Sequence, residues 1–287
     1  MKYTLAFLLI STSIQAQYAG GTGDGYESLV IINPRSDLTM GGTEDGYDIE
    51  TWDGTEDCTT YHSNEWNGGD GSWLDPEKWS LNMVPNGCHD VTHTSLGGSI
   101  NLSHGIGLAH SVNTNYDITI AEDSRLEINL QGSTLNGIKV NGNAHLRNYG
   151  YISIKDGVDH YGALDIRGDG TVHNYRTLEI VNHSGFQSRG INLQAGTHLI
   201  NYDSGTITID NVVDGSSIYN SGLVENQGMI DIIDSDDEHS IFNSASFSEF
   251  LNEGSLIIEN IKDNGVGIYT NVGSQFHHSG YILLKRG

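Results

Sequence analysis

The sequence predicts an all-β chain wound into a parallel β-solenoid of about 26 residues per coil, and three observations carry that prediction. An Asn precedes an alternating apolar strand at Asn148, Asn174, Asn201, Asn226 and Asn252, with His278 in the sixth place, at spacings of 26, 27, 25, 26 and 26 residues. Within each repeat apolar and polar residues alternate with period two and Ile, Val and Tyr dominate, which suits strands and excludes helical repeats. The composition agrees: 37 Gly, 3 Pro and 17% charged residues describe a chain rich in strands and turns.

A period of this length marks one supersecondary unit stacked on its neighbours, with coils about 4.8 Å apart. Each unit opens with an apolar segment: GIKVNG from Gly137, ALDIRG from Ala163, GINLQAG from Gly190, SIYNSG from Ser217, SIFNSA from Ser240 and GIYTNVG from Gly267. Single apolar residues follow at Leu146, Val172, Leu199, Val224, Phe250 and Phe276. The strand after the Asn then sends alternate residues inward, so Ile152 and Ile154, Leu178 and Ile180, Ile207 and Ile209, and Ile230 and Ile232 form aliphatic stacks. Identical amides in register hydrogen-bond from coil to coil and tolerate turn conformations, which gives the Asn column a structural role.

Ahead of the repeats the chain divides into three parts. Residues 1–16 place Lys2 before the apolar run from Leu5 to Ile10 and end on small residues at Ala16, the order of a secretory signal peptide cleaved before Gln17. Residues 17–61 are acidic and Gly-rich, and Gly20-Gly-Thr-Gly-Asp-Gly-Tyr-Glu27 returns as Gly41-Gly-Thr-Glu-Asp-Gly-Tyr-Asp48. Asp24, Glu27, Asp45 and Asp48 are candidate Ca²⁺ ligands, although turn geometry alone accounts for Asp and Gly there and no complete ligand loop is present. Residues 62–98 hold Trp66, Trp73 and Trp79 with Pro76 and Pro85, a segment expected to cover the exposed apolar end of the solenoid; the alternative is an exposed aromatic platform for sugar rings. The β-helix proper is expected over 99–287.

Charge and cysteines bound the partners. A formal net charge of −24, from 37 Asp and Glu against 13 Lys and Arg, opposes nucleic acid and anionic lipid. Residues 17–60 alone carry ten acidic residues against the single base Arg35. No segment reaches the roughly 20 apolar residues of a spanning helix. In an exported chain the two cysteines, Cys58 and Cys88, are expected to form a disulfide closing a loop of about 30 residues; two free thiols are the alternative.

Trp66-x-Gly, Gly71-x-Trp73, Trp79 and Val84-Pro85 followed by Asp90-Val91 resemble the opening segment of secreted bacterial right-handed parallel β-helix proteins, with a pattern similar to G8-type regions. The start at Gln17-Tyr-Ala-Gly-Gly-Thr-Gly-Asp-Gly-Tyr26 resembles the mature N-termini of clients of the type IX secretion route. The resemblance implies a right-handed β-helix, a secreted or outer cell-surface location and adhesin-like relatives, on a fold shared with pectate lyases and other polysaccharide-acting enzymes. Type IX clients usually end in a sorting domain, whereas this sequence runs to Leu284-Lys-Arg-Gly287 directly after a strand, so a stalk fragment of a larger surface protein is a further expectation.

The variable loops between coils stack along one edge and supply the candidate site. For ligand binding the candidates are Asp159, His160, Asp214, Asp234 and Glu238. For catalysis they are Asp210, Asp236, Asp237 and Arg189: carboxylates holding Ca²⁺ against an acidic sugar while Arg189 abstracts a proton, or two carboxylates flanking a glycosidic bond. A solvated polar edge explains the same residues, because solenoid loops are polar in any case. His145, His173 and His198 fall at similar places in successive coils and read as a surface column rather than a ligand set. The expected function is non-catalytic adhesion or binding of polysaccharide or extracellular matrix, with a polysaccharide lyase or glycoside hydrolase as the alternative and Ca²⁺ as the one conceivable cofactor.

Overall fold

The computed structural model describes residues 58, 60–158, 162–234, 239–261 and 265–286. These residues form a parallel β-solenoid of three sheets. The first sheet stacks nine strands, from His62–Glu65 to Val266–Thr270. The second also has nine, from Gly71–Ser72 to Gln275–His278, and the third has eight, from Gly105–Ala109 to Tyr281–Arg286. One coil illustrates the path: Ile138–Val140 in the first sheet, a corner at 141–144, His145–Asn148 in the second, the two-residue turn Tyr149-Gly150, Tyr151–Lys155 in the third, then a loop back to Leu164–Ile166. The strands His62–Glu65 and Gly71–Ser72, which precede the periodic sequence, already pair into the first two sheets.

The core is the stack of inward residues that the alternation predicts. Leu146, Val172, Leu199, Val224, Phe250 and Phe276 lie in register up the second sheet. Ile152, Ile154, Leu178, Ile180, Ile207, Ile209, Ile230 and Ile232 do the same in the third and are all buried.

The Asn column is a buried amide ladder. Asn148 donates through Nδ2 to Oδ1 of Asn174, Asn174 to Asn201, and Asn201 to Asn226, each across 2.8 Å, and Asn226 donates to Asn252 across 2.7 Å. The same Nδ2 groups reach carbonyls in the strand that follows, so the ladder ties the turn to its neighbouring coil. A second column, at the end of the third-sheet strands, consists of Asp156, Asn182, Asn211, Asp234 and Asn260, all with φ between 51° and 57°. Asn and Asp tolerate this left-handed conformation best among non-glycine residues.

At the N-terminal end the tryptophans are packed, not displayed. Trp73 and Trp79 are fully buried, Trp66 nearly so, and their rings meet edge to face at 5.0 and 5.3 Å. The Trp79 indole donates to the carbonyl of Trp73. A short 3-10 turn, Pro76–Lys78, is capped by the Asp75 carboxylate, which accepts from the Glu77 N–H, and Pro76 supplies the fixed φ its first position needs. Cys58 and Cys88 form the expected disulfide with Cα atoms 5.5 Å apart. It holds Tyr61 over His110, ring centroids 3.7 Å apart, where the buried imidazole bonds the Asp90 carboxylate through Nδ1 and the Leu130 carbonyl through Nε2.

Candidate functional site

The loops joining the third sheet to the first differ in length, and this shapes the edge. After His183 four residues, 184–187, lead into Ser188–Leu193; one coil later only two, 213–214, separate Val212 from Gly215. Both loops border the same space, the long one through Phe186, which is 81% exposed, and the short one through Asp214. The result is a hollow of about 840 Å³ across three coils, lined chiefly by Phe186, Arg189, Asp214, Tyr219, His239 and Phe242. Its floor is tight, since a Cβ on Gly215 would lie 1.7 Å from the Ser188 carbonyl oxygen.

Aromatic rings line it because two successive first-sheet strands place Tyr219 and Phe242 directly after the inward Ile218 and Ile241. Asn192, Tyr219, Phe242 and Tyr269 stand in register on the outer face, and successive ring centroids are 5.3 Å apart. The Arg189 guanidinium lies 3.6 Å from the Tyr219 ring centre, and its Nη1 donates to Oδ1 of Asn192 across 2.8 Å. Asn192 in turn donates to the fully buried Asp165 carboxylate, which Arg167 also pairs. Burial pushes the Asp165 carboxyl up, and burial also lowers Arg189 from its ordinary value against the opposing pull of Tyr219 and Asp165.

The sequence candidates separate. Arg189 and Asp214 line the hollow, but both Arg189 and Asp210 lie in strands, where loops are expected from sequence. Asp210 sits on the third sheet, its carboxyl pushed up by partial burial and then by Asp234 and Glu179, so its electrostatic neighbours are not those of Arg189. Asp234 holds a left-handed corner at φ 51° and accepts from Asn260 Nδ2 across 2.7 Å. Asp159, His160, Asp236, Asp237 and Glu238 lie outside the described residues, as do the Ca²⁺ candidates Asp24, Glu27, Asp45 and Asp48 and the signal segment 1–16. Among the described residues no three His, Cys, Asp or Glu side chains converge as a metal ion requires. None of the described helices is long and apolar enough to cross a membrane.

Two other polar features among the described residues are internally bonded. A hollow of about 370 Å³ near Asp70 and Asp117 has its carboxylates engaged, Asp70 by Ser99 and Asp117 by Arg147. The histidine column is a bonded pair with a tyrosine: His145 meets His173 at 3.2 Å, and the other His173 nitrogen meets the Tyr202 hydroxyl at 3.2 Å. The aromatic lining of the larger hollow comes from strands and not from the variable loops, and its signal in the sequence is the Ile-aromatic pair in SIYNSG, SIFNSA and GIYTNVG.

Compared with known proteins, the chain matches no family model, no curated protein and no solved structure.

Proposed function

We propose that this chain is a secreted or cell-surface β-helix scaffold that binds glycan or matrix polysaccharide without transforming it. The observation that carries the reading is the hollow at Tyr219 and Phe242, where aromatic surface, a cation and a carboxylate converge on an otherwise regular solenoid face. Aromatic rings pack against the C–H faces of sugars, while Arg189 can donate to hydroxyls and Asp214 can accept from them. A rigid ladder of coils holds these groups in place before ligand arrives, which lowers the cost of binding. The signal-like first sixteen residues and the type IX-like start at Gln17 support export, and the disulfide is at home outside the cytoplasm.

Affinity electrophoresis against a panel of soluble polysaccharides tests the proposal. Retardation by at least one polymer, abolished in a Tyr219→Ala/Phe242→Ala variant that keeps its thermal transition, is the expected result. Migration unaffected by every polymer would overturn it.

The enzymatic alternative has one observation in its favour: the Asp210 carboxyl is pushed up by partial burial and then by the charges of Asp234 and Glu179, the direction a general acid needs. Release of reducing or unsaturated products from the same panel, lost in Asp210→Asn, would establish it over the binding reading.

A further inference from the structure

We infer that the hollow beside Tyr219 takes the carboxylate of an acidic sugar, bound by Arg189. The inference rests on the glycan-binding reading and names its ligand class. In a chain with 37 acidic residues and 13 Lys and Arg, most half-buried arginines should find a carboxylate, and they do: Arg125 pairs with Glu127, Arg147 with Asp117 at 2.8 Å, and Arg167 with Asp165. Arg189 is half-buried yet has no carboxylate within ion-pair distance among the described residues. Arg176 and Arg286 also lack one, but they are exposed, and water solvates them.

What holds Arg189 is neutral: the amide oxygen of Asn192 along one nitrogen and the face of Tyr219 beneath the plane. That arrangement fixes the guanidinium without placing a carboxylate on it; the pull of Asp165 reaches it from beyond Asn192. None of its nitrogens is sealed from solvent without a partner, so the unused N–H groups stay accessible, and Arg189 lines the hollow. A fixed planar fork with free donors matches a carboxylate in bidentate fashion. Phe186 and Phe242 supply apolar surface for the ring that carries the carboxylate. The acidic balance of the chain does not forbid this, because charges more than about 8 Å away are screened at physiological salt. It does disfavour dense polyanions, and Asp214 in the same hollow adds to that. The ligand is therefore a uronate flanked by neutral sugars.

Calorimetry with an oligosaccharide alternating glucuronate and a neutral sugar, with its methyl ester, and with a sulfated oligosaccharide of similar length tests this. The wild-type chain should bind the acid at least tenfold more tightly than the ester and than the sulfated oligomer. Arg189→Gln should abolish the preference for acid over ester, lowering the acid's affinity at least tenfold more than the ester's, and Arg189→Lys should recover only part of the preference. Unchanged circular dichroism and melting temperature exclude misfolding. Equal affinity for acid and ester, indifference to Arg189→Gln, or equal binding of the sulfated oligomer would overturn the uronate inference while leaving glycan binding intact. If no glycan of any charge binds, both readings fall.

Discussion

Asn174 and Asn201 occupy the same place in successive coils, and the Asn174 Nδ2 donates to the Asn201 Oδ1 across 2.8 Å with both side chains fully buried. Asn201 passes the pattern on, donating to Asn226 Oδ1 at 2.8 Å and to the Met229 carbonyl at 3.0 Å. Asn201→Ala leaves the buried Asn226 Oδ1 without its donor, at about 1 to 3 kcal/mol, and removes the bond to the Met229 carbonyl, so a loss of about 3 kcal/mol is expected in urea denaturation. Asn201→Asp keeps the acceptor but not the donor at neutral pH. It should lose at least as much at pH 7 and regain part of that loss on mild acidification, when the carboxyl can donate again.

The disulfide between Cys58 and Cys88 spans 30 residues and closes the strap that lays Tyr61 over His110. Chain entropy gives such a crosslink about 3 to 4 kcal/mol. The double variant Cys58→Ala/Cys88→Ala should therefore melt well below the parent, and reductant should lower the parent's melting temperature but not the variant's. A parent indifferent to reductant would show that the loop contributes nothing once the tryptophan end is packed.

Acid should weaken the N-terminal coils through His93. Its ring is buried against Trp66 and Tyr116, and burial lowers its pKa from 6.5 to about 4, despite the opposing pull of Asp117. The unfolded chain takes up this proton near pH 6.5 and the folded one only near 4, so the stabilisation is full above 6.5 and is lost as pH falls towards 4. The difference amounts to about 3 kcal/mol. His93→Gln should flatten the stability curve in that window relative to the parent. Parallel curves for the two proteins would remove His93 as the cause.

The repeat made most of the fold legible. Residues 26 apart sit one above another, so the inward stacks of Ile152 and Leu178 and the Asn ladder follow from counting alone. Counting fails where the loop between the third and first sheets changes length: four residues follow His183 and two follow Val212. The depth of the hollow depends on that difference, and so does the place of Arg189, which falls on a strand beside Tyr219 instead of on a loop beside Asp210. The pairing of His110 with Asp90 was equally hidden, because the two residues are 20 apart in a part of the chain without the repeat. The left-handed column through Asp234 is irregularly spaced because turn and loop lengths vary from coil to coil.

Gly215 links that loop geometry to the hollow. Its Cα faces the preceding coil so closely that an added Cβ would lie 1.7 Å from the Ser188 carbonyl oxygen, and this is rigid backbone, not the end of a flexible side chain. Ser188 is itself fixed, its hydroxyl donating to the Val213 carbonyl across 2.5 Å. Gly215→Ala must therefore push the two coils apart, at a cost of about 3 kcal/mol, near the upper range for an overpacked site. The displacement falls between Arg189 and Tyr219, so polysaccharide binding should drop with it. Gly142 provides the control: it has φ 59° but no atom within 4 Å of an added Cβ, so Gly142→Ala meets only the left-handed backbone penalty of about 1 to 2 kcal/mol. Thermal melts and affinity electrophoresis on the two variants should show both stability and binding reduced in Gly215→Ala, and only stability reduced in Gly142→Ala. Retained binding in Gly215→Ala would mean that the contact of Ser188 with Gly215 does not set the shape of the hollow.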